Sequence, residues 1–403
     1  MLKGKTIIVG VSGGIAAYKT AGLVSALVRE GAEVHVIMTR NALHFIGPIT
    51  FESLSSHKCL TDTFERNFEF KVEHIELAKK ADLFIVAPAT ADIIGKMANG
   101  IADDMLTTTL LAAKCPILIA PAMNTRMYEN PIVQDNMDRL KLYKIKLIEP
   151  VCGHLACGDI GKGKMADPDT ILEYAIHEVA YEKDLRGKRI LISAGPTREA
   201  IDPVRFISNH SSGKMGIELA RAAADRGAKT TLVVGSTAEK LPAFVDLVQI
   251  VSAKEMFEAI QSRYEAQDII IKAAAVADYR PKHIAENKIK KSGEDAAIEL
   301  ERTRDILRFL GEHKKTHQFL CGFSMETENL IENSSKKLYK KNLDMIVANN
   351  LNEEGAGFGV DTNRVTLITK ERTKDLALMT KRELAHAILD EIISKCREMS
   401  GRG

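Results

Sequence analysis

Short runs of apolar residues alternate with longer stretches of helical spacing along the first part of the chain. The apolar runs lie at Thr6–Val11, Glu33–Met38, Leu83–Ala87, Ile117–Ala120 and Lys146–Glu149. Between the first two runs, the spacing over Ala16–Glu30 predicts a helix, and Gly31 stands where a helix C-terminus favours glycine. Apolar runs without alternation indicate strands covered on both faces. We therefore expect a mainly parallel sheet with helices on both sides.

The second part of the chain repeats this pattern. Its apolar runs lie at Arg189–Ser193, Thr230–Val234, Ile269–Ala273, Met345–Ala348 and Arg364–Thr369. Helical spacing covers Gly213–Asp225 and Lys381–Lys395. A chain of 403 residues also exceeds the size at which a single hydrophobic core usually stops growing. The sequence therefore predicts an α/β protein of two domains, a flavodoxin-like or Rossmann-like parallel-sheet domain followed by a second Rossmann-like domain.

The predicted domain boundary lies in a short polar junction, Asp184–Gly187, which follows a helical stretch over Asp167–Lys183. We therefore expect one domain over residues 1–183 and another over residues 184–403.

Both predicted domains begin in the same way. Lys3–Gly14 and Arg186–Thr197 each read as a basic turn, a buried strand and a glycine-bearing turn that opens a helix. Such a turn directs backbone N–H groups and the helix dipole at an anion. Two such openings predict two catalytic modules fused in one polypeptide.

The composition is that of an ordinary soluble protein. The net charge is only +2, so no bulk attraction to nucleic acid or to a membrane is expected. No apolar run reaches the length of a membrane span, and Met1–Gly4 leads straight into a strand rather than a signal peptide, which predicts a cytoplasmic protein. The six cysteines form no CxxC pair and accompany no histidine cluster at zinc spacing, which speaks against a structural metal site or a disulfide framework.

Three segments of the first domain lie where parallel sheets bind ligands. The glycine turn in Ser12–Lys19 lacks the spacing of a dinucleotide site and the lysine of a P-loop, so it favours a mononucleotide phosphate; close helix–sheet packing is the alternative. Ala87–Asp92 and Ala120–Asn124 each follow a strand and have small residues that leave room for a flat ring, although each also fits a simple turn. Asn124 favours binding, because its side chain can hold a carboxylate or an amide.

Two further segments carry candidate chemical groups. His74 stands at a predicted helix start, where it caps the helix or, inside a pocket, binds or protonates a carboxylate near neutral pH. Cys152–Lys164 is too rich in glycine for core packing, so it predicts a mobile loop that carries a thiol.

In the second domain, residues 208–216 form a loop rich in hydroxyl, amide and glycine donors that leads into a helix. This composition predicts a phosphate cradle. A capped helix start is the alternative, but it explains only the serines and not the presence of Arg205, Asn209 and Lys214 in one region.

Residues 273–281 follow a strand and begin with alanines small enough to admit a base or a ribose. Asp278 can accept a hydrogen bond from the ligand or reach a metal. Lys288 belongs to a lysine cluster, which is either a solvated face or a group that neutralises charge on a leaving pyrophosphate. The charged stretch Lys282–Thr303 shows no clear period and predicts a flexible arm over a site.

Four motifs of the first domain together resemble the flavin-dependent cysteine decarboxylases of coenzyme A synthesis. They are Ser12–Lys19, His74–Leu77, Pro121–Asn124 and Ala156–Asp159. The resemblance implies that His74 and Asn124 bind the substrate carboxylate, that Cys157 is the acid on a flap, and that FMN lies between subunits. The implied FMN contacts are Ser12, Gly13, Gly14, Thr39, Ala87, Thr90 and Met123.

From about Leu185 onward the chain is similar to the phosphopantothenate–cysteine ligases, so the whole chain resembles the bifunctional decarboxylase/ligase family of coenzyme A biosynthesis. The resemblance implies that CTP with Mg²⁺ forms an acyl-cytidylate with 4′-phosphopantothenate, which cysteine then attacks. Asn209 and Arg205 are implied to handle the acyl intermediate. The residues implied to surround the nucleotide are Ala273, Ala274, Asp278, Lys288, Asp305, Ile306, Phe323, Lys337 and Lys341. Family members also imply trimers through the first domain and pairs through the second, and hence a dodecamer.

The chain departs from these families at several positions. Arg304 stands where a proline is usual, Ser324 and Met325 replace two alanines, and Cys152 is a second thiol near the flap. Two other functions stay open on the sequence alone. One is a flavin carrier with a nucleotide-sensing domain, and the other is a decarboxylase of peptidyl cysteine fused to an unrelated ligase.

Overall fold

The computed structural model describes residues 1–63, 73–154, 158, 160–290, 297–326, 328–350, 357 and 359–400. Within the chain, two compact units divide between Glu182 and Lys183. No helix in these ranges is both long and apolar enough to cross a membrane.

The first unit is a five-stranded, fully parallel sheet covered by helices, with a small hairpin near its C-terminal end. Its elements are β1 (Thr6–Val11), α1 (Ala17–Arg29), β2 (Glu33–Met38), α2 (Pro48–Ser55), α3 (Glu73–Lys80), β3 (Leu83–Ala89), α4 (Ala91–Asn99), α5 (Met105–Ala112), β4 (Ile117–Pro121), α6 (Thr125–Tyr128), α7 (Pro131–Leu142), β5 (Lys146–Leu147), β6 (Val151–His154), β7 (Ile160–Lys164) and α8 (Pro168–Val179). The strand order in the sheet is β2-β1-β3-β4-β5. The predicted parallel sheet is confirmed.

The continuous apolar strands face helices on both sides. Every residue of β1 is buried, because alternate side chains enter two different cores. Ile7 packs with α1 and α8, whereas Ile8 packs with α4, α5 and α7. This double burial explains why the strands read as unbroken apolar runs.

The glycine-rich segment Cys152–Lys164 was expected to be a mobile loop, and this prediction is wrong for its two ends. Strands β6 and β7 pair antiparallel, with Cys152 opposite Lys162 and His154 opposite Ile160. Glycine in a strand often marks a place where another part of the backbone approaches closely. Cys157 lies outside the described residues.

The second unit contains an eight-stranded mixed sheet and two small hairpins. Its elements are β8 (Arg189–Ala194), β9 (Arg198–Ala200), β10 (Phe206–Ser208), α9 (Lys214–Asp225), β11 (Lys229–Val234), β12 (Asp246–Gln249), α10 (Ala253–Gln261), β13 (Ile269–Lys272), β14 (Tyr279–Pro281), β15 (Leu300–Arg302), α11 (Ile306–His313), β16 (Phe319–Glu326), α12 (Leu330–Lys340), β17 (Met345–Asn350), β18 (Thr362–Thr369), β19 (Thr373–Thr380) and α13 (Lys381–Ser400). The strand order is β12-β11-β8-β13-β16-β17-β18-β19. The first six strands are parallel, and β18 and β19 add antiparallel pairs at one edge.

The arm predicted over Lys282–Thr303 is anchored at both ends, so it is not a free loop in the described residues. Strand β14 pairs antiparallel with β15, and the N–H of Lys282 donates to the carbonyl of Glu299 at 2.9 Å. The N–H of Ala285 donates to the carbonyl of Ile201 at 3.0 Å. This pairing was not predicted from the sequence, because each strand has only three residues and lies in a highly charged segment.

Candidate functional site

A cavity of about 760 Å³ lies at the carboxyl edge of the first sheet. The implied FMN-binding and carboxylate-binding residues that line it are Gly13, Gly14, Thr39, Thr90, Met123 and Asn124. Sequence reasoning missed Asn41 and His154, which also line the cavity.

The glycine turn after β1 is held tightly against its neighbours. The Ser12 hydroxyl donates to the carbonyl of Pro88 at 2.7 Å and accepts from the N–H of Thr90 at 3.1 Å. A Cβ on Gly13 would lie 2.5 Å from the Cβ of Asn41, and one on Gly14 would lie 3.3 Å from Cγ2 of Thr90. Only glycine at position 13 therefore allows this turn.

Helix α1 follows the glycine turn, and no side chain caps its N-terminus. Uncapped N–H groups at a helix N-terminus next to a cavity suit an anion such as a phosphate. Ser12 and Ala87, two of the implied FMN contacts, do not line the cavity. Ala87 is buried, and its carbonyl accepts a hydrogen bond from the Thr20 hydroxyl at 2.7 Å.

The hairpin β6–β7 closes one side of the same cavity. The N–H of Met123 donates to the carbonyl of Gly163 at 3.0 Å. Gly163 has φ 143°, and a Cβ there would lie 2.3 Å from the carbonyl oxygen of Met123, so glycine is required. Asn124 caps α6, since its Oδ1 accepts from the N–H of Arg126 at 2.8 Å. This contact fixes the direction of the Asn124 side chain beside the cavity.

His74 is not brought into this cavity within one chain. It is the second residue of α3, is half-buried, and belongs to a helix that packs against α5. Cys157 belongs to the undescribed residues between β6 and β7, and His154, at the end of β6, lines the cavity.

A second cavity, of about 520 Å³, lies at the carboxyl edge of the second sheet. The residues implied by family resemblance that line it are Asn209, Ala273, Ala274, Asp278, Asp305, Ile306, Phe323, Lys337 and Lys341. Its floor includes the glycine turn before α9. A Cβ on Gly213 would lie 2.9 Å from Cα of Gly195, and Gly213 has φ 83°. This turn thus resembles the one in the first unit, but here the Ser212 hydroxyl accepts from the N–H of Lys214 at 3.4 Å, at the start of the helix that follows.

One end of the second cavity gathers three lysines. Lys341 Nζ lies 2.8 Å from Asp305 Oδ2, and Lys337 Nζ donates to the carbonyl of Phe323 at 3.1 Å. Lys272 donates from Nζ to the carbonyl of Ala274 at 2.8 Å. Such an end attracts anions.

Burial, together with the nearby ammonium groups of Lys337 and Lys341, lowers the pKa of Lys272 to about 8. An anionic ligand stabilises the charged form of an ammonium group that is held among like charges. Sequence reasoning missed this residue, because a lysine at the end of an isoleucine-rich strand is an ordinary strand terminus.

Asn349 and Lys381 also line the second cavity, and sequence reasoning missed both. The Oδ1 of Asn349 is buried and has no hydrogen-bond partner in the described part of the chain. Lys381 donates from Nζ to the carbonyl of Val360 at 2.6 Å, and burial lowers its pKa. Lys214 is paired with Asp361.

Arg205 and Lys288 do not line the second cavity. The buried Asp202 carboxylate accepts from Arg205 Nε at 2.9 Å and from the N–H of Ile289 at 3.2 Å. Arg205 also donates from its guanidinium to the carbonyl of Ile289 at 2.9 Å, and it holds the pKa of Asp202 well below its usual range. Arg205 therefore anchors the arm that carries the exposed Lys288. The Asn209 amide donates to the carbonyl of Ala275 at 3.0 Å.

Three departures from the expected motifs, Arg304, Ser324 and Met325, lie at the same cavity. Arg304 lines it, and its guanidinium carbon lies 5.1 Å from the centre of the Phe257 ring. Ser324 is buried and shares a hydrogen bond of 2.7 Å with Ser334, so its hydroxyl is satisfied inside the protein.

The fold and the two cavities define a two-domain α/β protein with a cavity at the carboxyl edge of the parallel strands in each unit. Residues 1–180 match the family described as Flavoprotein, and residues 185–396 match the family described as DNA/pantothenate metabolism flavoprotein C-terminal domain.

Curated relatives match along the whole chain. The coenzyme A biosynthesis bifunctional protein CoaBC of Bacillus subtilis (strain 168) is 48% identical over 100% of both chains. The protein of the same name from Haemophilus influenzae (strain ATCC 51907 / DSM 11121 / KW20 / Rd) is 45% identical over 98% of both chains. A crystal structure of the C-terminal domain of such a protein is 47% identical, with a TM-score of 0.46, and the match covers 53% of this chain and 98% of that one.

The chain belongs to the family of bifunctional coenzyme A biosynthesis proteins. It therefore joins a flavoprotein decarboxylase of phosphopantothenoylcysteine to the ligase that makes this compound. The predicted fold class and the predicted pair of activities are confirmed.

Proposed function

We propose that the second unit ligates 4′-phosphopantothenate to cysteine with CTP, through an acyl-cytidylate, and that the first unit decarboxylates the product with FMN to give 4′-phosphopantetheine. One observation carries this proposal. Each unit has a cavity at the carboxyl edge of its parallel strands, beside a glycine turn and the N-terminus of the helix that follows it. Cavities of this size and position are typical of nucleotide sites in α/β proteins.

The first cavity fits FMN on its own geometry. The turn at Gly13 tolerates no Cβ, and the N-terminus of α1 offers uncapped donors to a phosphate. Met123 supplies an apolar wall for a flat ring, and Thr90 supplies a small one. Bound there, FMN would supply reversible two-electron redox chemistry, which allows the substrate thiol to be oxidised to a thioaldehyde so that the carboxylate can leave as carbon dioxide.

The chain's own residues hold the substrate and move its proton. Asn124 and His74 bind the carboxylate that leaves, so they orient the bond to be broken. Cys157 follows β6 and precedes β7 in the sequence, and it donates a proton to the substrate carbon after carbon dioxide has left. Cys152 is the alternative acid, and it is exposed on β6.

His74 is expected to reach the cavity of a neighbouring copy. This is supported by its position on α3, outside the cavity of its own chain. We propose trimers through the first unit and pairs through the second, and hence a dodecamer. Mixing His74→Asn chains with Asn124→Ala chains should restore decarboxylation if each site takes these residues from two copies. Activity that stays absent after mixing, or a monomer in light scattering, would contradict the assembly.

The lysine end of the second cavity is proposed to hold the triphosphate. Lys272, Lys337 and Lys341 give it positive charge, and Asp305 pairs with Lys341. Asp278 is exposed at the rim, where one carboxylate is enough to assist a Mg²⁺ ion carried by the triphosphate. Ala273 and Ala274 leave room for the ribose or the base.

Lys288 and Asn209 are proposed to serve the two halves of the ligation. Arg205 and Asp202 fix the arm beside Lys288, so the lysine can approach the pyrophosphate that leaves. Asn209, fixed on the carbonyl of Ala275, holds the acyl intermediate for attack by the cysteine amine. Arg205 acts here by positioning the arm.

The ligation is tested by incubating the full chain with 4′-phosphopantothenate, cysteine and each nucleoside triphosphate in turn, with products followed by mass. With CTP we expect CMP together with phosphopantothenoylcysteine or 4′-phosphopantetheine, its decarboxylation product, and with ATP far less of either. A preference for ATP would overturn the nucleotide assignment while leaving the reaction class intact.

A further inference from the structure

Three potential metal ligands lie together at the amino edge of the first sheet. Glu33 and His35 are two residues apart on β2, so their side chains leave the same face of the strand. His57 follows α2 in a segment that runs beside β2, because the N–H of Leu60 donates to the carbonyl of Val36 at 3.0 Å. This edge is opposite to the FMN cavity, which lies at the carboxyl ends of the strands.

The ligand atoms are spaced for a tetrahedral ion. His35 Nε2 lies 3.0 Å from Glu33 Oε1, and His57 Nε2 lies 3.7 Å from the same oxygen. One ligand atom from each residue falls within 4.8 Å of the others. Zinc bonds of about 2.0–2.1 Å place tetrahedral ligand atoms about 3.3 Å apart. The two distances to Glu33 Oε1 differ from this spacing by only a few tenths of an ångström.

The tautomer of His57 also suits a metal. His57 Nδ1 lies 2.8 Å from the carbonyl oxygen of Ser55, which can only accept, so Nδ1 carries the proton. Its Nε2 is thereby left as the electron-pair donor, and a backbone carbonyl behind a ligating imidazole is a common arrangement in metal sites. The side chains of Glu33 and His57 are 35% and 36% exposed, so an ion has a path from solvent.

Lys80 competes for the same carboxylate. Its ammonium lies 2.5 Å from Glu33 Oε1, and its side chain is 53% exposed. An exposed lysine can turn into water at little cost, but it opposes binding of a cation until it does so.

We propose that Glu33, His35 and His57 bind a divalent transition metal, zinc above all, at the amino edge of the first sheet, in competition with the Lys80 ammonium. Two imidazoles and one carboxylate, with a fourth position open to water, are a zinc ligand set. The ion would tie the segment after α2 to β2. This proposal does not depend on either proposed catalytic activity.

The test is a zinc titration of the full-length protein after treatment with a chelator, followed by calorimetry. We expect one zinc ion per chain from this site, and a rise in melting temperature on binding. His57→Gln should weaken that binding at least roughly tenfold, since even the loss of an outer partner of a ligand costs this much. Exposed His317 supplies the control, and His317→Gln should bind zinc as the wild type does.

Lys80→Met gives a second test that does not depend on a disrupted ligand. Removal of the competing ammonium should tighten zinc binding several-fold, whereas adventitious surface binding would not change. Equal affinity in the wild type and His57→Gln, or no tightening in Lys80→Met, would overturn the proposal. Substitution with Co²⁺ should also give the intense absorption of a tetrahedral site in the wild type and lose it in His57→Gln.

Discussion

Replacing Lys272 with methionine should stabilise the second unit and weaken nucleotide binding. The two effects have one cause. The ammonium group of Lys272 is destabilising in its surroundings unless an anion is bound beside it. Lys272 Nζ has the carbonyl of Ala274 as partner, and the ammonium groups of Lys337 and Lys341 lie near it. A purely structural lysine would show the opposite effect on stability.

The magnitude follows from the pKa of Lys272. The difference between the ordinary value of 10.5 and about 8 in the folded protein corresponds to as much as about 3 kcal/mol of destabilisation. Loss of the hydrogen bond to Ala274 offsets roughly 1–2 kcal/mol of that. We therefore expect Lys272→Met to raise the free energy of unfolding of the second unit by about 1–2 kcal/mol at pH 7.

The sign of the pH dependence can also be worked out. Because the folded pKa is below the unfolded one, the folded state binds fewer protons between pH 8 and pH 10.5. The penalty is fully present below about pH 8 and is lost as the pH rises toward about 10.5. The advantage of Lys272→Met should therefore shrink as the pH is raised through this window.

Nucleotide binding should show the complementary behaviour. If the triphosphate restores the ordinary pKa of Lys272, CTP affinity of the wild type falls about tenfold from pH 7 to pH 9. Lys272→Met should bind CTP more weakly at pH 7 and lose most of this dependence.

The assay is scanning calorimetry of the full chain with and without CTP, since the transition that CTP shifts identifies the second unit. Lys336→Met is the control, because Lys336 lies on the exposed face of α12 and pairs with Glu332. A lower melting temperature for Lys272→Met at pH 7 would show that the lysine is structural. Unchanged CTP affinity would show that it does not contact the nucleotide.

Four further substitutions separate the proposed half-reactions. Cys157→Ser should release carbon dioxide once and accumulate the enethiol product, detected by mass; normal turnover in Cys157→Ser but not in Cys152→Ser would move the acid to Cys152. His74→Asn should abolish carbon dioxide release from the start, and release at the wild-type rate would remove His74 from the site. Lys288→Gln should slow acyl-cytidylate formation roughly 10²–10³-fold, whereas Asn209→Asp should let labelled acyl-cytidylate form and then stall before cysteine attacks. Equal accumulation in both ligase variants would deny Lys288 a role in activation.

The sheets were predictable because burial on both faces leaves unbroken apolar runs. The strand over Ile269–Lys272 is an example, and so is the fully buried β1. The hairpins were not predictable in the same way. Cys152–Lys164 looks like a loop because it is rich in glycine, yet Gly163 is needed where β7 meets the backbone of Met123. Composition shows that glycines are present, but it does not show which backbone segments they approach.

The site could be predicted where its residues follow strands in sequence, as Asn124 and Asp278 do. It could not be predicted where contacts between residues far apart in the sequence determine which side chains meet. Lys272 gives no signal beyond one charge at a strand end, and His57 reaches Glu33 only through the path of the chain after α2. Family resemblance alone also assigned Arg205 to the acyl intermediate, whereas the structure shows its guanidinium engaged with Asp202 and the arm.

The most direct test of the whole account is a single incubation with cysteine labelled with ¹³C in its carboxyl group. The full chain, with FMN, Mg²⁺, 4′-phosphopantothenate and CTP, should release labelled carbon dioxide and form 4′-phosphopantetheine in equal amounts. Omitting either CTP or 4′-phosphopantothenate should stop the release. Labelled carbon dioxide from cysteine without them, or phosphopantothenoylcysteine that accumulates without any release, would contradict the account.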